Sequence, residues 1–295
     1  MENLENKPNI FARNAKLVAV IAVFLGSTSG VLGKLVTGGS IMIGFYRLSF
    51  ALPFFSVPAL LWHRDELKGL SKRAWLGCAV TGVFLFAHFF FWFKAVQLTT
   101  VASAIVIQSL HPMVVLLVTV FVWKKKVSLK AVAGIIIALI GGAIVAGFDY
   151  TMAGDSFSGD ICAAGAGLFM GLYFCMGNVF RKDVPAGVYV FIVFLFCWIS
   201  FLVAMLATGT PFTGYPTSDY LWLVLMALLC QIGSHAVFNW SLGYVSSLYL
   251  SAVEMLEMIF ASLLALAVFL EIPTVSQCAG GLIVICGLMY YNRHS

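Results

Sequence analysis

Residues 129–145 read LKAVAGIIIALIGGAIV, and residues 275–291 read VSQCAGGLIVICGLMYY. Laid over one another they keep a constant shift of 146, with Gly134 on Gly280 and Gly141 on Gly287. Working outward without gaps, the same shift puts Ala95-Val96 on Ser241-Leu242, Thr100 on Ser246, Pro112 on Met258 and Ser128 on Thr274. A register held across two and a half apolar stretches marks an internal repeat. Gly26-xxx-Gly30 and Gly167-xxx-Gly171 add a shared device, since small residues let helix backbones approach closely in lipid.

The rest of the chain says what kind of repeat this is. Of its 295 residues, 62% are hydrophobic and only 10% charged. A soluble domain is nearer half apolar and a quarter charged, so a water-soluble globule, a disordered chain and a coiled coil are excluded. A bilayer-crossing helix needs about 20 mainly apolar residues. Ten such runs occur, at 16–36, 41–62, 74–96, 101–123, 131–148, 161–179, 187–206, 220–244, 248–270 and 275–291. They lack the alternation of barrel strands. The first run follows Lys7, Arg13 and Lys16 and superficially resembles a secretory signal, but it continues at signal-anchor length.

The expected fold is therefore an all-α polytopic membrane protein with ten transmembrane helices in two five-helix repeats. Residues 1–15 form an N-terminal tail, 16–148 the first repeat, 149–160 an external linker, and 161–295 the second repeat with a short C-terminus. Five is odd, so the second repeat enters the membrane from the opposite side. Inverted-topology repeats characterise secondary transporters, with the substrate near the midplane at the repeat interface.

Lys and Arg set the orientation. With the N-terminus inside, the inner loops collect Lys7, Arg13, Lys16, Arg64, Lys68, Lys72, Arg73, Lys124, Lys125, Lys126, Lys130, Arg181, Lys182 and Arg293. The outer loop after the fifth run has Asp149, Asp155 and Asp160 and no base. Both termini are expected inside, and a bacterial cytoplasmic membrane fits. The net charge of +5 is a topology signal, with no domain to present it to a nucleic acid. The seven cysteines sit within or beside the runs without a CxxC pair and read as packing residues.

Few ionisable groups remain inside the runs, and such groups usually mark a pathway or a pair. Glu254 and Glu257 share one face of the ninth run near mid-depth. The shift of 146 carries them onto Gln108 and His111 in the fourth. Two carboxylates in an apolar site can share a proton and exchange it for substrate, or stay ionised and hold a cation. His88, His111 and His235 all fall near mid-depth, where they can hydrogen-bond substrate or the glutamates. No two share an i,i+4 face suited to a metal. Arg47 either pairs with a glutamate or binds a substrate carboxylate. Lys34 and Lys94 can snorkel to the outer headgroups. Trp92 follows His88 by four and Asn239 follows His235 by four, adding an aromatic and an amide to the candidate substrate-binding set. Gln231 adds another amide.

Ser241-Leu242-Gly243-Tyr244-Val245-Ser246-Ser247 runs into Leu256-Glu257-Met258, then Phe269-Leu270-Glu271-Ile272-Pro273-Thr274 and Gln277-Cys278-Ala279-Gly280-Gly281. A weaker copy runs from Ala95 through Thr100 into Leu110-His111-Pro112, and Phe45-Tyr46-Arg47 fits beside it. Together these resemble the drug/metabolite transporter superfamily, specifically its EamA-type ten-helix permeases. The resemblance spans both repeats and is most specific from Gly233 to Gly287. In two places this chain departs from that pattern. Lys125 stands where a Glu is usual, opposite Glu271, and Met258 stands where a Pro is usual.

The resemblance implies a secondary transporter of a small polar or amphipathic metabolite, an amino acid or related solute. It would work by alternating access, with export as the expected direction and protons as candidate coupling partners. The alternative within transport is uptake of an organic cation such as a quaternary amine. The partners are the small-molecule substrate and membrane lipid, with the chain a monomer or homodimer and no cofactor, metal or nucleic acid. No GxxxxGK[ST] motif is present for nucleotide-driven transport. No HExxH or paired nucleophile supports an intramembrane enzyme, and the thin loops offer a receptor or scaffold little surface.

Overall fold

A computed structural model describes residues 13–99, 101–146, 154–269 and 275–294. Lys7, Thr100, Asp149 and the Leu270–Thr274 stretch with Glu271 lie outside the described residues. All regular structure among the described residues is helical.

Among the described residues, five helical stretches are long and apolar enough to cross a membrane: Ala15–Leu35, Lys72–Leu98, Phe157–Phe180, Ala186–Thr208 and Thr217–Ser241. A sixth forms if α3 (Ser40–Ala51) and α4 (Pro53–Leu61), bent by 41°, are taken as one. Pro53 has no amide hydrogen and its ring crowds the preceding turn, which accounts for the bend. The first stretch is α1 (Ala15–Gly26) continued by α2 (Thr28–Leu35), hinged at Ser27, whose hydroxyl donates to Val23 O. The short α5 (Arg64–Gly69) leads to α6 (Lys72–Leu98), which Ser71 caps by accepting from Ala74 N at 3.2 Å. The later stretches are α10 (Gly154–Phe180), α11 (Ala186–Thr208) and α12 (Thr217–Met226). The last continues through the π-helical π2 (Ala227–Ala236) into α13 (Val237–Ser241).

The fourth and ninth runs are helical but broken, and they break at equivalent places. In the first half α7 (Val101–Gln108) stops before Ser109-Leu110 and α8 (His111–Leu117) resumes, followed by π1 (Val118–Val122). In the second half α14 (Ser247–Glu254) stops before Met255-Leu256 and α15 (Glu257–Phe269) resumes. The bonds match too. Leu110 N donates to Ile107 O and Met113 N to Leu110 O; Leu256 N donates to Val253 O and Ile259 N to Leu256 O. These tightened three-residue turns differ in number by 146 throughout. Pro112 explains the first break, because it lacks a donor. Met258 repeats the turn without proline, its N–H reaching Met255 O at 3.4 Å.

The stretches that opened the sequence form α9 (Leu129–Ala146) and α16 (Val275–His294), which pack along one another. A Cβ on Gly141 would lie 2.6 Å from Val284 N and 2.8 Å from Gly280 O. One on Gly287 would lie 2.5 Å from Ala138 N and 2.7 Å from Gly134 O. The helices are therefore antiparallel, and each contact is the other with the halves exchanged. Only glycine permits so close an approach of backbone to backbone.

Basic residues gather at one end of the bundle. Lys16 Nζ donates to Asn292 Oδ1 at 2.8 Å, while Lys125, Lys126, Lys182 and His294 surround one cavity there. At the other end Thr37 N and Oγ1 donate to the fully buried Asp219, and Thr99 Oγ1 donates to Asp160. Large apolar side chains such as Leu17, Ile21, Leu76, Leu168 and Leu282 are exposed on the sides, as a lipid-facing surface requires. Lys34 and Lys94 are exposed, in keeping with snorkelling.

Candidate functional site

The two helix breaks face each other, and their polar residues meet. His111 Nε2 lies 3.0 Å from Glu254 Oε2. Gln108 Nε2 donates to Glu257 Oε2 at 3.5 Å. His111 also holds the break open: Nδ1 faces Gln108 O and Nε2 faces Ser251 O, each at 3.0 Å. Both carbonyls are acceptors, so the ring donates to both only when it carries two protons. Room for the break comes from α10, where a Cβ on Gly167 would fall 2.6 Å from Gln108 O and one on Gly171 would fall 3.0 Å from His111 O.

Beside the breaks is a polar cavity of about 30 Å³. That is space for roughly two waters and no metabolite. Seven of the nine expected residues line it: Arg47, His88, Trp92, Gln108, His235, Glu254 and Glu257. His111 stands one layer behind, against Glu254. Asn239 also stands outside the lining, its Oδ1 accepting from Tyr173 OH at 2.8 Å. Gln231 is fully buried without a hydrogen-bond partner and also lies outside the lining.

Arg47 is the central oddity. The side chain is 1% exposed, and none of its three guanidinium nitrogens has a hydrogen-bond partner. Its guanidinium lies 4.2 Å above the Phe89 ring and 6.0 Å from that of Phe93. Aromatic faces attract a cation but do not satisfy its donors. The alternative of a direct pairing with a glutamate is not what the side chain adopts. An unbonded buried guanidinium, with the carboxyl groups of Glu254 and Glu257 on the same cavity, gives the site both donors and acceptors to offer.

The histidines divide by role. His88 Nδ1 bonds to Ala166 O at 3.0 Å, which fixes its ring. His235 packs edge-on to Phe89 with centroids 4.8 Å apart, and its Nδ1 has no partner. Their centroids are 6.2 Å apart, and no group of three possible metal ligands occurs among the described residues. The π-helical turn of π2 brings Cys230, Ser234 and His235 to the same cavity, its wider turn letting residues four and five apart share a face.

Sequence reasoning missed Ser29, Phe89, Cys230, Ser234 and Phe238 in this lining, as well as the contribution of α1. Ser234 was within reach, because the shift of 146 carries His88 onto it. Its hydroxyl is buried without a partner, and it sits where a Cβ on Gly26 would come within 2.6 Å. The others carry no sequence signal beyond an ordinary core.

The sequence profile of the EamA-like transporter family matches residues 14–147 and again residues 157–293. An uncharacterized transporter of Archaeoglobus fulgidus is 24% identical over 281 residues, covering 92% of this chain and 83% of that protein. Another from Synechocystis sp. is 23% identical over 245 residues, covering 77% and 68% respectively. A solved crystal structure shares the fold at a TM-score of 0.76 and 19% identity, across 94% of this chain and 96% of the other.

Proposed function

We propose, because the chain belongs to the EamA-like transporter family, that it is a secondary transporter of small zwitterionic metabolites, amino acids or close relatives. As a member of that family it acts in membrane transport; the substrate, direction and coupling are our reading. The observation that carries it is Arg47, buried and unbonded on a cavity shared with Glu254 and Glu257. A zwitterion offers a carboxylate to the guanidinium and an ammonium to the glutamates. Binding then satisfies guanidinium donors that no group of the protein accepts from, and a desolvated charge-assisted pair is among the stronger polar contacts. An organic cation alone would leave Arg47 unbonded and repelled, which ranks that reading second.

The cavity as it stands is too small for such a solute, so the helices must move to admit one. In our reading the two halves are inverted five-helix repeats making ten crossings, and the solute is exposed first to one face and then to the other. The antiparallel glycine crossing, the equivalent breaks and the twice-matching family profile support this. The basic end faces the cytoplasm, both termini lie there, and export is the working direction. His111 and Glu254 lie 3.0 Å apart without the alignment of a hydrogen bond, and our reading assigns coupling to protons to these two groups.

Purified protein in liposomes tests it. Radiolabelled amino acids should move down an imposed gradient, faster with an opposing proton gradient. Glu257→Gln should impair flux far more than Cys286→Ala, an exposed control. No flux of any amino acid, or equal normal flux in both variants, would sink the assignment.

A further inference from the structure

A second cavity, about 520 Å³ in volume, opens at the basic end between π1, α10, α14 and α16. Three lysines, Lys125, Lys126 and Lys182, line it, and no carboxylate does so among the described residues. Lys125 also lies 5.6 Å over the Trp123 ring. Lys125 therefore adds positive charge to the lining of this cavity.

The floor of the cavity is the N-terminus of α14. Ser246 caps that helix by accepting from Tyr249 N at 3.1 Å, and Leu250 N donates to Ser246 O. The amides of Ser247 and Leu248 come before these and have no acceptor within the helix. They carry the positive end of its dipole. Two side chains reinforce the point. Ser247 is 1% and Asn178 9% exposed; both line the cavity, and neither hydroxyl nor amide has a hydrogen-bond partner among the described residues. Both present side-chain donors to the cavity, and an anion entering it can accept from them.

We infer that this cavity is a binding site for an anionic oxygen group, a phosphate or carboxylate. The group is seated on the α14 N-terminus by Ser247 and Asn178 and neutralised by Lys125, Lys126 and Lys182. Helix N-termini with converging donors bind such anions readily. The volume falls in the range of small-molecule sites. The site is distinct from the central cavity: one turn of α14, from Leu248 to Ser251, lies between them, and His111 closes it by contacting Ser251 O and Glu254. Either a soluble metabolite anion or a lipid phosphate headgroup has the chemistry it takes.

Binding can be measured without transport. The full-length protein in nanodiscs of phosphatidylcholine is titrated with inorganic phosphate at constant ionic strength, read by calorimetry. In parallel, native mass spectrometry of nanodiscs containing phosphatidylglycerol counts retained anionic lipid. Saturable phosphate binding identifies a soluble anion as the occupant, and selective phosphatidylglycerol retention identifies a lipid. In either arm Lys125→Gln/Lys126→Gln and Ser247→Ala should weaken binding by about tenfold or more, roughly 1.4 kcal/mol, while Arg47→Gln leaves it unchanged. Absence of both kinds of binding, indifference to the lysine and serine variants, or loss in Arg47→Gln would overturn the proposal. The lysines are on the surface, so the double variant folds irrespective of the result. Failure here leaves the central-site reading untouched, since no flux is measured.

Discussion

His111 Nε2 lies 3.0 Å from Glu254 Oε2, and adding 146 to the first number and subtracting it from the second exchanges this pair for Glu257 and Gln108, the other polar contact of the site. The two contacts occupy one geometry twice, but unequally: one is at 3.0 Å, the other at 3.5 Å. If the halves swap conformations during transport, the short contact should pass from one pair to the other. A structure trapped facing the opposite way, with Gln108 and Glu257 drawn closer and His111 and Glu254 apart, is the expected result; unchanged distances would refute the exchange.

The His111–Glu254 contact should behave as a coupled buried pair. His111→Leu removes the partner of a buried carboxyl group, and breaking a buried pair by removing one member costs about 3–5 kcal/mol. The double variant His111→Leu/Glu254→Leu should lose less than the sum of the singles, with a coupling of roughly 0.5–3 kcal/mol. Thermal melting in detergent completes the cycle. Additive losses would mean the two act apart.

Arg47 separates function from stability. Replacing a buried, unbonded charge by an apolar group of similar length is often neutral or stabilising by about 1–4 kcal/mol. Arg47→Leu should therefore melt no lower than the parent, while flux of the zwitterion falls at least about tenfold, about 1.4 kcal/mol of lost interaction. A large drop in melting temperature would instead assign Arg47 a purely structural role.

The glycines of the α9–α16 crossing make an internal comparison. Gly141→Ala and Gly287→Ala each place a methyl against backbone, so each should cost about 1–3 kcal/mol, and by similar amounts. Gly187, at the start of α11, has nothing within 4 Å of where a methyl would fall, and Gly187→Ala should be neutral or gain up to about 1 kcal/mol. Melting temperatures of the three variants decide it.

Asp219 fastens the other end. Its Oδ2 accepts from Thr37 N at 3.1 Å and Thr37 Oγ1 at 2.7 Å, tying the loop after α2 to the start of α12. Asp219→Ala removes the charged acceptor of both bonds, and a bond to a charged group contributes about 1.5–3 kcal/mol, so the variant should lose about that much. Thr37→Ala should lose less, since the amide still has its acceptor. Equal melting of parent and Asp219→Ala would show the latch is dispensable.

Much of this was legible in the chain because its physics is periodic. The shift of 146, anchored on Gly134 and Gly280, marked the repeat without saying that these glycines pack against one another, and the depth of Glu254 and Glu257 marked the ninth run as the place to look. Pro112 could have announced the first helix break, but Met258 gave no warning of the second, because nothing about a methionine forbids an α-helix. The partner of Arg47 was likewise unreadable: whether a guanidinium meets a carboxylate or an aromatic face depends on the packing of α3 against α6, which no local pattern encodes. Asp219 went unnoticed since it falls beside a loop, where an acid has every reason to be solvated. Phe89 was hidden among the other aromatics of α6, which surround the helix.

The glycine crossing has one more consequence. Its contact set is self-complementary: whatever surface α9 offers to α16, α16 offers back, as at the interface of a two-fold homodimer. Each of the two helices therefore meets the other with residues at equivalent places, so a change on one side of the seam has a counterpart to be compared with on the other. The cavity departs from that symmetry, with a histidine and an amide on one side facing two carboxylates on the other.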